Sequence, residues 1–422
     1  MIVRLAYRGG PSHGVVAGAA TIGWMPAIRA LFILVGALLG TFYPFVSAIL
    51  ADRGFSPAQV GLTTALAALA FTLAVPVWGH LADVVVGRVA ALRLGVIGST
   101  VAVLVLVLDV PPIVVAALIV GFSGFESALS PLADALAVNA LSGSPRAYAR
   151  VRLLSSFGFA STSILAGWLY NVTGFGPASL LWAGAAAGIL VVTRWVPDIA
   201  RFRLPPPGDR VAAPAARFRG GSFGLALRTQ PRLRGLLLGL GLVHVGMLAG
   251  FTFLALRLLD LGGRPSDVAL SAGISALAEM PAMALIPRVV ARTGIRAMLV
   301  AGILLYGLTM ASWAFLADPG LIVATRIVSG VAFAGITIGA VLTIAALLPP
   351  ELQGTGQGLY QTVGFGIAAV VANALGGLVY GTGGATPLFL GCAVLAAIGA
   401  AVAWRAIPAS AAAARMAARQ EG

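Results

Sequence analysis

Three acidic side chains lie inside long apolar stretches of this sequence: Glu126, Asp134 and Glu279. A carboxylate at bilayer depth is costly unless it faces a partner or a water-filled cavity, so such residues mark functional sites. A carboxylate can accept hydrogen bonds from a polar solute, pair with an arginine or carry a proton. We therefore interpret these acids as candidates for solute and proton binding within a membrane.

The composition explains why their placement matters. Of the 422 residues, 59% are hydrophobic and only 9% are charged, and the mean hydropathy is +1.01. Soluble chains carry about 25% charged residues. The apolar residues recur in runs of about 20, long enough to cross a bilayer as helices. We predict an all-α membrane protein with twelve spans, at roughly 28–50, 57–81, 89–109, 112–139, 151–173, 177–196, 233–258, 266–290, 297–317, 320–347, 354–380 and 385–406.

The net charge of +14 follows the predicted topology. All 27 basic residues are arginine, and the loops on one side of the membrane keep only Arg53 and Arg264. This is the positive-inside pattern, which predicts that both termini are cytoplasmic. The arginines therefore do not indicate a nucleic-acid partner, and we expect a monomer in the inner (plasma) membrane. The single cysteine, Cys392, excludes an intramolecular disulfide.

Five segments divide the chain. Three consecutive prolines and seven arginines mark a polar stretch that separates six spans from six, as expected of a cytoplasmic linker with little fixed structure. The glycine-rich start is expected to be a short cytoplasmic tail rather than a cleaved signal peptide. The predicted segments are a tail (1–26), a six-helix bundle (27–196), the linker (197–232), a second six-helix bundle (233–407) and a second tail (408–422).

The two halves repeat one another at an offset of 208 residues. Gly54-Phe55-Ser56-Pro57-Ala58-Gln59-Val60 corresponds to Gly262-Gly263-Arg264-Pro265-Ser266-Asp267-Val268, and Arg88 corresponds to Arg296. Parallel repeats of this kind are typical of secondary transporters, in which the site lies between the halves near the midplane. The repeat thus predicts two pseudo-symmetric bundles with a central site.

A loop sequence connects the chain to a known superfamily. Gly79-His80-Leu81-Ala82-Asp83, followed by Gly87-Arg88, resembles the signature loop between the second and third helices of the major facilitator superfamily. One residue is added between the aspartate and the arginine, and Val84 replaces the usual basic residue. The resemblance implies gating roles for Asp83 and Arg88.

The second half contains a weaker copy of that loop. Arg292-Thr293-Gly294-Ile295-Arg296 keeps the spacing, with Ala291 where the acid would be. The resemblance extends the gating role to Arg292 and Arg296.

A second set of motifs is spread over most of residues 28–405. It comprises Pro131-Leu132-Ala133-Asp134-Ala135-Leu136, Tyr148-Ala149-Arg150-Val151-Arg152, Ser156-Phe157-Gly158-Phe159, His244 with Gly246, and Glu279-Met280-Pro281. These motifs resemble the branch of phenylpropionate-type transporters and nucleoside–proton symporters, which is distantly similar to lactose permease.

The first half supplies four candidate substrate contacts. The resemblance implies that Asp134 and Arg152 pair and face the substrate, and that Phe159, seven residues beyond Arg152, stacks on it. The alternatives are a structural ion pair and ordinary helix packing. Glu126, Ser130 and Asp134 follow at i, i+4 and i+8, on one stripe of the fourth span. Glu126 is not a residue of the family motif, so we expect it either to confer this protein's own selectivity or to be solvated near the outer surface.

The second half supplies the candidate coupling residues. Glu279 lies about mid-bilayer, where a desolvated carboxylate can take up and release a proton, as a coupling residue must. The resemblance supports a cavity role for it, and Arg326 in the tenth span is its expected partner. A permanently protonated or salt-bridged structural glutamate is the alternative. His244 is a candidate for substrate contact or for a helix-to-helix hydrogen bond. Gln361 is expected to line the cavity.

The leading hypothesis is a secondary active transporter, a proton symporter for an aromatic acid, nucleoside or sugar-like solute that works by alternating access. No phosphate-binding loop, metal cluster or nucleophile–base set is present in the sequence, so we expect neither an enzyme nor a cofactor, with the proton as coupling ion. A proton-coupled efflux antiporter and a non-transporting receptor on the same fold are the alternatives.

Overall fold

The protein is helical throughout the part of the chain that the computed structural model describes, which comprises residues 17–141, 145–198 and 220–407. The first half contains α1 (Ala17–Phe42), a 3₁₀ turn (Tyr43–Phe45), α2 (Val46–Asp52), α3 (Pro57–His80), a π-helical turn (Leu81–Val85), α4 (Arg88–Val105), α5 (Pro112–Glu126), α6 (Leu129–Ala140), α7 (Pro145–Thr173) and α8 (Ala178–Val192). The second half contains α9 (Gly220–Thr229), α10 (Pro231–Asp260), α11 (Pro265–Phe315), α12 (Pro319–Leu347), α13 (Pro350–Gln361), a second π-helical turn (Thr362–Ile367), α14 (Ala368–Gly383) and α15 (Ala385–Ala406).

Ten helices of the described residues are long and apolar enough to cross a membrane. The longest, α11, has 51 residues and breaks at Gly294, where the backbone is not helical (φ 78°, ψ 160°). Its two arms match two predicted spans, and the shorter apolar helix α8 matches another. The all-α membrane prediction is therefore confirmed, and the count of twelve requires both arms of α11 and the short α8.

The matched turns of the two halves have the same geometry. Gly54 and Gly262 both adopt positive φ, near 80°, and a proline opens the next helix three residues later. Glycine occupies this left-handed conformation without the steric cost of a Cβ. In the first turn the Gln59 side chain accepts a hydrogen bond from Ser56 N (2.8 Å), and in the second Asp267 accepts one from Arg264 N (2.7 Å).

The extra residue of the signature loop is accommodated by the first π-helical turn. One residue more separates Gly54 from the positive-φ Gly87 than separates Gly262 from Gly294. A π turn absorbs one inserted residue while the helix continues. The break geometry therefore aligns Gly87 with Gly294, and the predicted equivalence of Arg88 with Arg296 is offset by one position.

Two predicted boundaries change. The linker was expected to have little fixed structure up to residue 232, but α9 and the start of α10 lie within it. Likewise α1 begins at Ala17, inside the predicted tail. Residues 1–16, 199–219 and 408–422, which contain the rest of these segments, lie outside the described residues.

The halves pack together at the end of the helices opposite to the start of α1, which we call the opposite face; the other end is the terminal face. Gly61 of α3 lies against Gly377 and the backbone of Asn373 in α14. On the other flank, Asn171 of α7 accepts a hydrogen bond from Ser266 N of α11 (2.9 Å). These described contacts between α3 and α14 and between α7 and α11 close the opposite face.

Candidate functional site

A cavity of about 380 Å³ lies between the two halves. Its walls come from the 3₁₀ turn, α2, α3 and α5 of the first half and from α10, the end of α13, the second π turn and α14 of the second. Five aromatic side chains line it, namely Tyr43, Phe71, Phe122, Phe251 and Phe365. Hydroxyl and amide groups are contributed by Ser47, Thr64, Ser123, Thr252, Gln361 and Asn373. Gln361, which was expected to line a cavity, is one of the residues that line this one.

Three of the transmembrane helices lose regular geometry where they reach the cavity. The 3₁₀ turn Tyr43–Phe45 separates α1 from α2, a two-residue break separates α5 from α6, and the second π turn, Thr362–Ile367, precedes α14. In membrane proteins, irregular backbone is tolerated where it is buried in protein or lines a water-filled space. Broken helices at mid-membrane are also where transporters place their binding sites.

Glu126 is the single charged side chain among the described residues that line the cavity. It ends α5, midway along the span Pro112–Ala140, and is only 6% exposed. No arginine nitrogen of the described residues lies within 4 Å of its carboxylate, and the neighbouring group that interacts with its charge is Tyr43. A carboxylate without a cation in an aromatic cavity is available to a ligand.

The break beside Glu126 has its own hydrogen bonds. The carbonyl oxygen of Gly124 accepts hydrogen bonds from the indole N–H of Trp78 (2.8 Å) and from the hydroxyl of Ser127 (2.8 Å). The Ala128 N–H instead donates to Phe125 O, in a tighter i→i−3 pattern. Trp78 of α3 thus compensates the helical hydrogen bond that the break removes, and it stabilises the backbone that carries Glu126.

The predicted pair of Asp134 and Arg152 is present nearer the terminal face. Arg152 Nε lies 3.9 Å from Asp134 Oδ1, with the side chains 46% and 32% exposed. Tyr148 is within hydrogen-bonding reach of the same carboxylate. Neither member of the pair lines the cavity. This ion pair is long, and Asp134 Oδ1 is buried without a hydrogen bond, so the carboxylate is only weakly held by Arg152.

Arg152 also interacts electrostatically with Glu279 on α11. One guanidinium from the first half therefore lies close enough to act on two carboxylates: Asp134 of its own half at ion-pair distance, and Glu279 of the other half at more than 4 Å. Sequence reasoning placed all three charges in the interior but did not connect Arg152 with Glu279, because their proximity depends on how α7 packs on α11.

The predicted partnership of Glu279 with Arg326 is wrong in this structure. The buried Arg326 donates to Ser271 O (3.1 Å) and to the Ser329 hydroxyl (2.8 Å), and it lies over the Trp313 ring. Ser271 precedes Glu279 by eight residues, or about 12 Å of helix. Arg326 therefore contacts α11 at a different depth from Glu279.

His244 does not reach the cavity either, contrary to its prediction as a substrate contact. Its ring is fully buried, with Nδ1 2.7 Å from Leu240 O and Nε2 3.2 Å from the Tyr360 hydroxyl. The ring also packs edge-on against Phe365, which does line the cavity. His244 thus satisfies the alternative reading of a helix-to-helix hydrogen bond, next to the second π turn.

Phe159 likewise lies outside the cavity lining. Its backbone sits against Gly36 and Gly40 of α1, where an added Cβ would collide with it. This part of α7 is therefore packed on α1, and the stacking role of Phe159 stays a prediction.

The predicted gating residues lie at the terminal ends of the helices. Arg88 Nε and Asp83 Oδ1 form an ion pair of 3.0 Å around the first π turn. In the second half Arg296 instead lies over the Trp404 ring, 3.7 Å from its centroid, and Arg292 is exposed. The missing acid at Ala291 therefore leaves the second copy with an aromatic partner in place of an ion pair.

Comparisons with known proteins agree with this architecture. Residues 27–391 match the model of the MFS_1 like family. A maltose permease of Geobacillus stearothermophilus is 28% identical over 352 residues, covering 82% of this chain and 85% of the relative. Among solved structures, a mutant of the nucleoside transporter NupG has a TM-score of 0.77 at 17% identity, covering 92% of this chain and all of that one.

A second solved structure has the same fold. A bacterial homologue of the iron transporter ferroportin in an inward-facing state has a TM-score of 0.70 at 16% identity, with coverage of 90% and 98%. The predicted superfamily is confirmed, as is the expectation that the chain is not an enzyme. With its apolar helices, central cavity and family match together, this chain belongs to the MFS_1 like family of membrane transporters.

Proposed function

We propose that this protein imports a neutral, hydroxyl-rich solute of sugar or nucleoside size by proton symport. The observation that carries the proposal is Glu126, a buried carboxylate without a cation in a cavity of aromatic and amide side chains. An ionised carboxylate accepts hydrogen bonds from two neighbouring hydroxyl groups, and such charge-assisted bonds are strong.

The remaining cavity chemistry supports the same solute class. Amides of Gln361 and Asn373 both donate and accept hydrogen bonds, as hydroxyl-bearing rings require. Flat aromatic faces pack against a sugar ring or a nucleobase. The volume of about 380 Å³ lies at the low end of the range for small-molecule sites. The similar maltose permease and nucleoside transporter handle solutes of these two kinds.

An aromatic acid fits the cavity less well. Its carboxylate would meet Glu126 in a small, buried space, and like charges disfavour one another there. Arg152, which suits an anionic ligand by its chemistry, does not line the cavity.

The proton-coupling proposal rests on the arginine shared by two acids. Arg152 can neutralise Asp134 or Glu279, and a carboxylate left without its cation in the membrane interior takes up a proton more readily. Protonation of Glu279 would release Arg152 to Asp134, and deprotonation would draw it back across the interface. Pairing of Arg152 with Glu279 would join the two halves, and pairing with Asp134 would let them separate. Protonation of Glu279 is thereby linked to alternating access.

Sidedness follows from the arginine pattern. With both termini in the cytoplasm, the closed opposite face would lie outside and the terminal face inside, in the inner membrane.

A second candidate is efflux of an organic cation. The same lone carboxylate among aromatic rings would attract a cation by charge and by cation–π contact.

Uptake into proteoliposomes tests both proposals. We expect a labelled maltose or uridine to accumulate under an inward proton gradient and to stop accumulating when an ionophore collapses it. Accumulation of phenylpropionate alone, or gradient-driven extrusion of a lipophilic cation without uptake of either neutral solute, would contradict the symport proposal.

A further inference from the structure

A basic pocket of about 340 Å³ lies at the terminal face, outside the cavity between the halves. It is formed by the third and fourth turns of α1, the residue that follows α6 and the start of α7. Arg29 and Arg150 line it together with the apolar side chains of Met25, Leu141 and Leu154. The transport proposal uses none of these residues.

The pocket faces away from the substrate path. Arg152 points toward Asp134 and Glu279. Arg150 precedes it by two residues, which places the two side chains about 200° apart around α7. Arg150 therefore projects to the side of α7 that is turned from the gap between the halves.

Exposed apolar side chains continue from the pocket toward the membrane interior. Leu153 and Phe157 follow Arg150 by three and seven residues, on one face of α7, and are 45% and 58% exposed. On α1, Ile33 follows Arg29 by four residues and is 37% exposed. In a membrane-spanning chain this surface contacts acyl chains.

The two arginines lack an acidic partner in the described part of the chain. Both side chains are exposed, and no carboxylate of the described residues lies within 4 Å of either guanidinium. Basic pockets between helices at the cytoplasmic side attract anionic lipid headgroups. Arginine suits a phosphate because its planar fork donates two parallel hydrogen bonds.

We propose that this pocket binds the phosphate headgroup of an anionic phospholipid, with Arg29 and Arg150 on the phosphate and an acyl chain along Leu153 and Phe157. The lipid would join α1, near Arg29, to the start of α7. It is a site separate from transport, and its failure would leave the proposed function untouched.

Native mass spectrometry of the full chain with phosphatidylglycerol and phosphatidylcholine tests the site. A basic residue near an anionic lipid surface contributes a factor of about five in affinity. We therefore expect the double variant Arg29→Gln/Arg150→Gln to lose about 25-fold in phosphatidylglycerol affinity. Phosphatidylcholine binding should not change.

The matched control removes the same charge from the terminal face at another place. Arg232 and Arg234 are exposed at the start of α10, and Arg232→Gln/Arg234→Gln should keep the phosphatidylglycerol affinity of the unmodified chain. Equal losses in the two double variants would reduce the effect to general surface charge and overturn the proposal. Glycerol 3-phosphate tests the headgroup without acyl chains. If it competes for the pocket as well as phosphatidylglycerol does, the acyl-chain contact is wrong and the proposed lipid site is contradicted.

Both double variants replace exposed side chains, so we expect them to fold. Their melting temperatures in phosphatidylcholine nanodiscs should match that of the unmodified chain. A second, lipid-specific measurement is the rise in melting temperature on adding phosphatidylglycerol, which Arg29→Gln/Arg150→Gln should abolish and the control should retain.

Discussion

The carboxylates of the central cavity and of the terminal-side charge cluster differ in their partners. Glu126 is buried, has no cation within ion-pair distance among the described residues and lies at a helix break. Asp134 and Glu279 share Arg152, and the Asp134–Arg152 pair is partly exposed. A carboxylate without a partner gains most from a ligand that supplies hydrogen bonds, whereas acids that share one cation can exchange it. This difference is the basis for the proposal that the first region binds the solute and the second couples the proton.

The largest expected effect separates coupling from binding. Glu279→Gln removes one of the two acids that share Arg152, so we expect proton-driven accumulation to be abolished while solute exchange across proteoliposomes persists. The measurement is uphill uptake beside counterflow of the same labelled solute. Loss of both activities, or of neither, would contradict the division between the two regions.

A smaller effect is expected on affinity at the cavity. Glu126→Gln replaces charge-assisted hydrogen bonds by neutral ones, and a bond to a charged group contributes about 1.5–3 kcal/mol. We expect the solute Kd to rise about 10- to 100-fold in a thermal-shift titration. Asp109→Asn, which neutralises an exposed carboxylate before α5, is the control and should leave the Kd unchanged. An unchanged Kd in Glu126→Gln would remove this residue from the binding site.

The closed opposite face gives a third test, on conformation. A Cβ at Gly61 would approach Asn373 O and Gly377 Cα, each at 2.5 Å, so Gly61→Ala should hinder closure there. We expect uptake to fall about tenfold with a smaller change in Kd. Gly121→Ala is the control, since nothing lies within 4 Å of an added Cβ at that position. Equal uptake in both variants would argue against closure at this crossing.

The smallest effect concerns the helix break that carries Glu126. Trp78→Phe removes one of the two donors to Gly124 O, and a neutral hydrogen bond contributes about 0.5–1.5 kcal/mol. We expect the solute Kd to rise a few-fold in the unmodified background and not at all in Glu126→Gln. Trp168→Phe, at an exposed tryptophan, serves as control. Additive effects of Trp78→Phe and Glu126→Gln would mean that Trp78 acts elsewhere.

Local sequence signals predicted the fold well. A long apolar run predicts a membrane helix, because the bilayer core has no water and the backbone N–H and C=O groups of the run must hydrogen-bond to one another. Gly54 with Pro57 and Gly262 with Pro265 predicted matched turns, and the added residue near Asp83 turned out to be a π turn. These features depend on a few neighbouring residues, so a single sequence contains them.

The site was harder to predict because it depends on contacts between distant helices. Arg326 and Glu279 have the right chemistry for a pair but contact different turns of α11. His244 carries a polar ring that is satisfied by Leu240 and Tyr360, which spacing along one helix does not reveal. Glu126 could be named as a candidate from the sequence, because an acidic residue inside an apolar run is costly unless it has a function. Trp78 gave no sequence signal, since its role arises from the break in another helix.

The most direct test of the binding assignment uses solute protection of introduced cysteines. The native Cys392 is buried and only 3% exposed, so background labelling should be low. Ser123 lines the cavity, and Ser130 lies two turns nearer the charge cluster. We predict that saturating maltose or uridine slows maleimide labelling of Ser123→Cys at least tenfold and leaves Ser130→Cys unchanged. Protection of Ser130→Cys without protection of Ser123→Cys would place the solute at Asp134 and Arg152 and contradict the account.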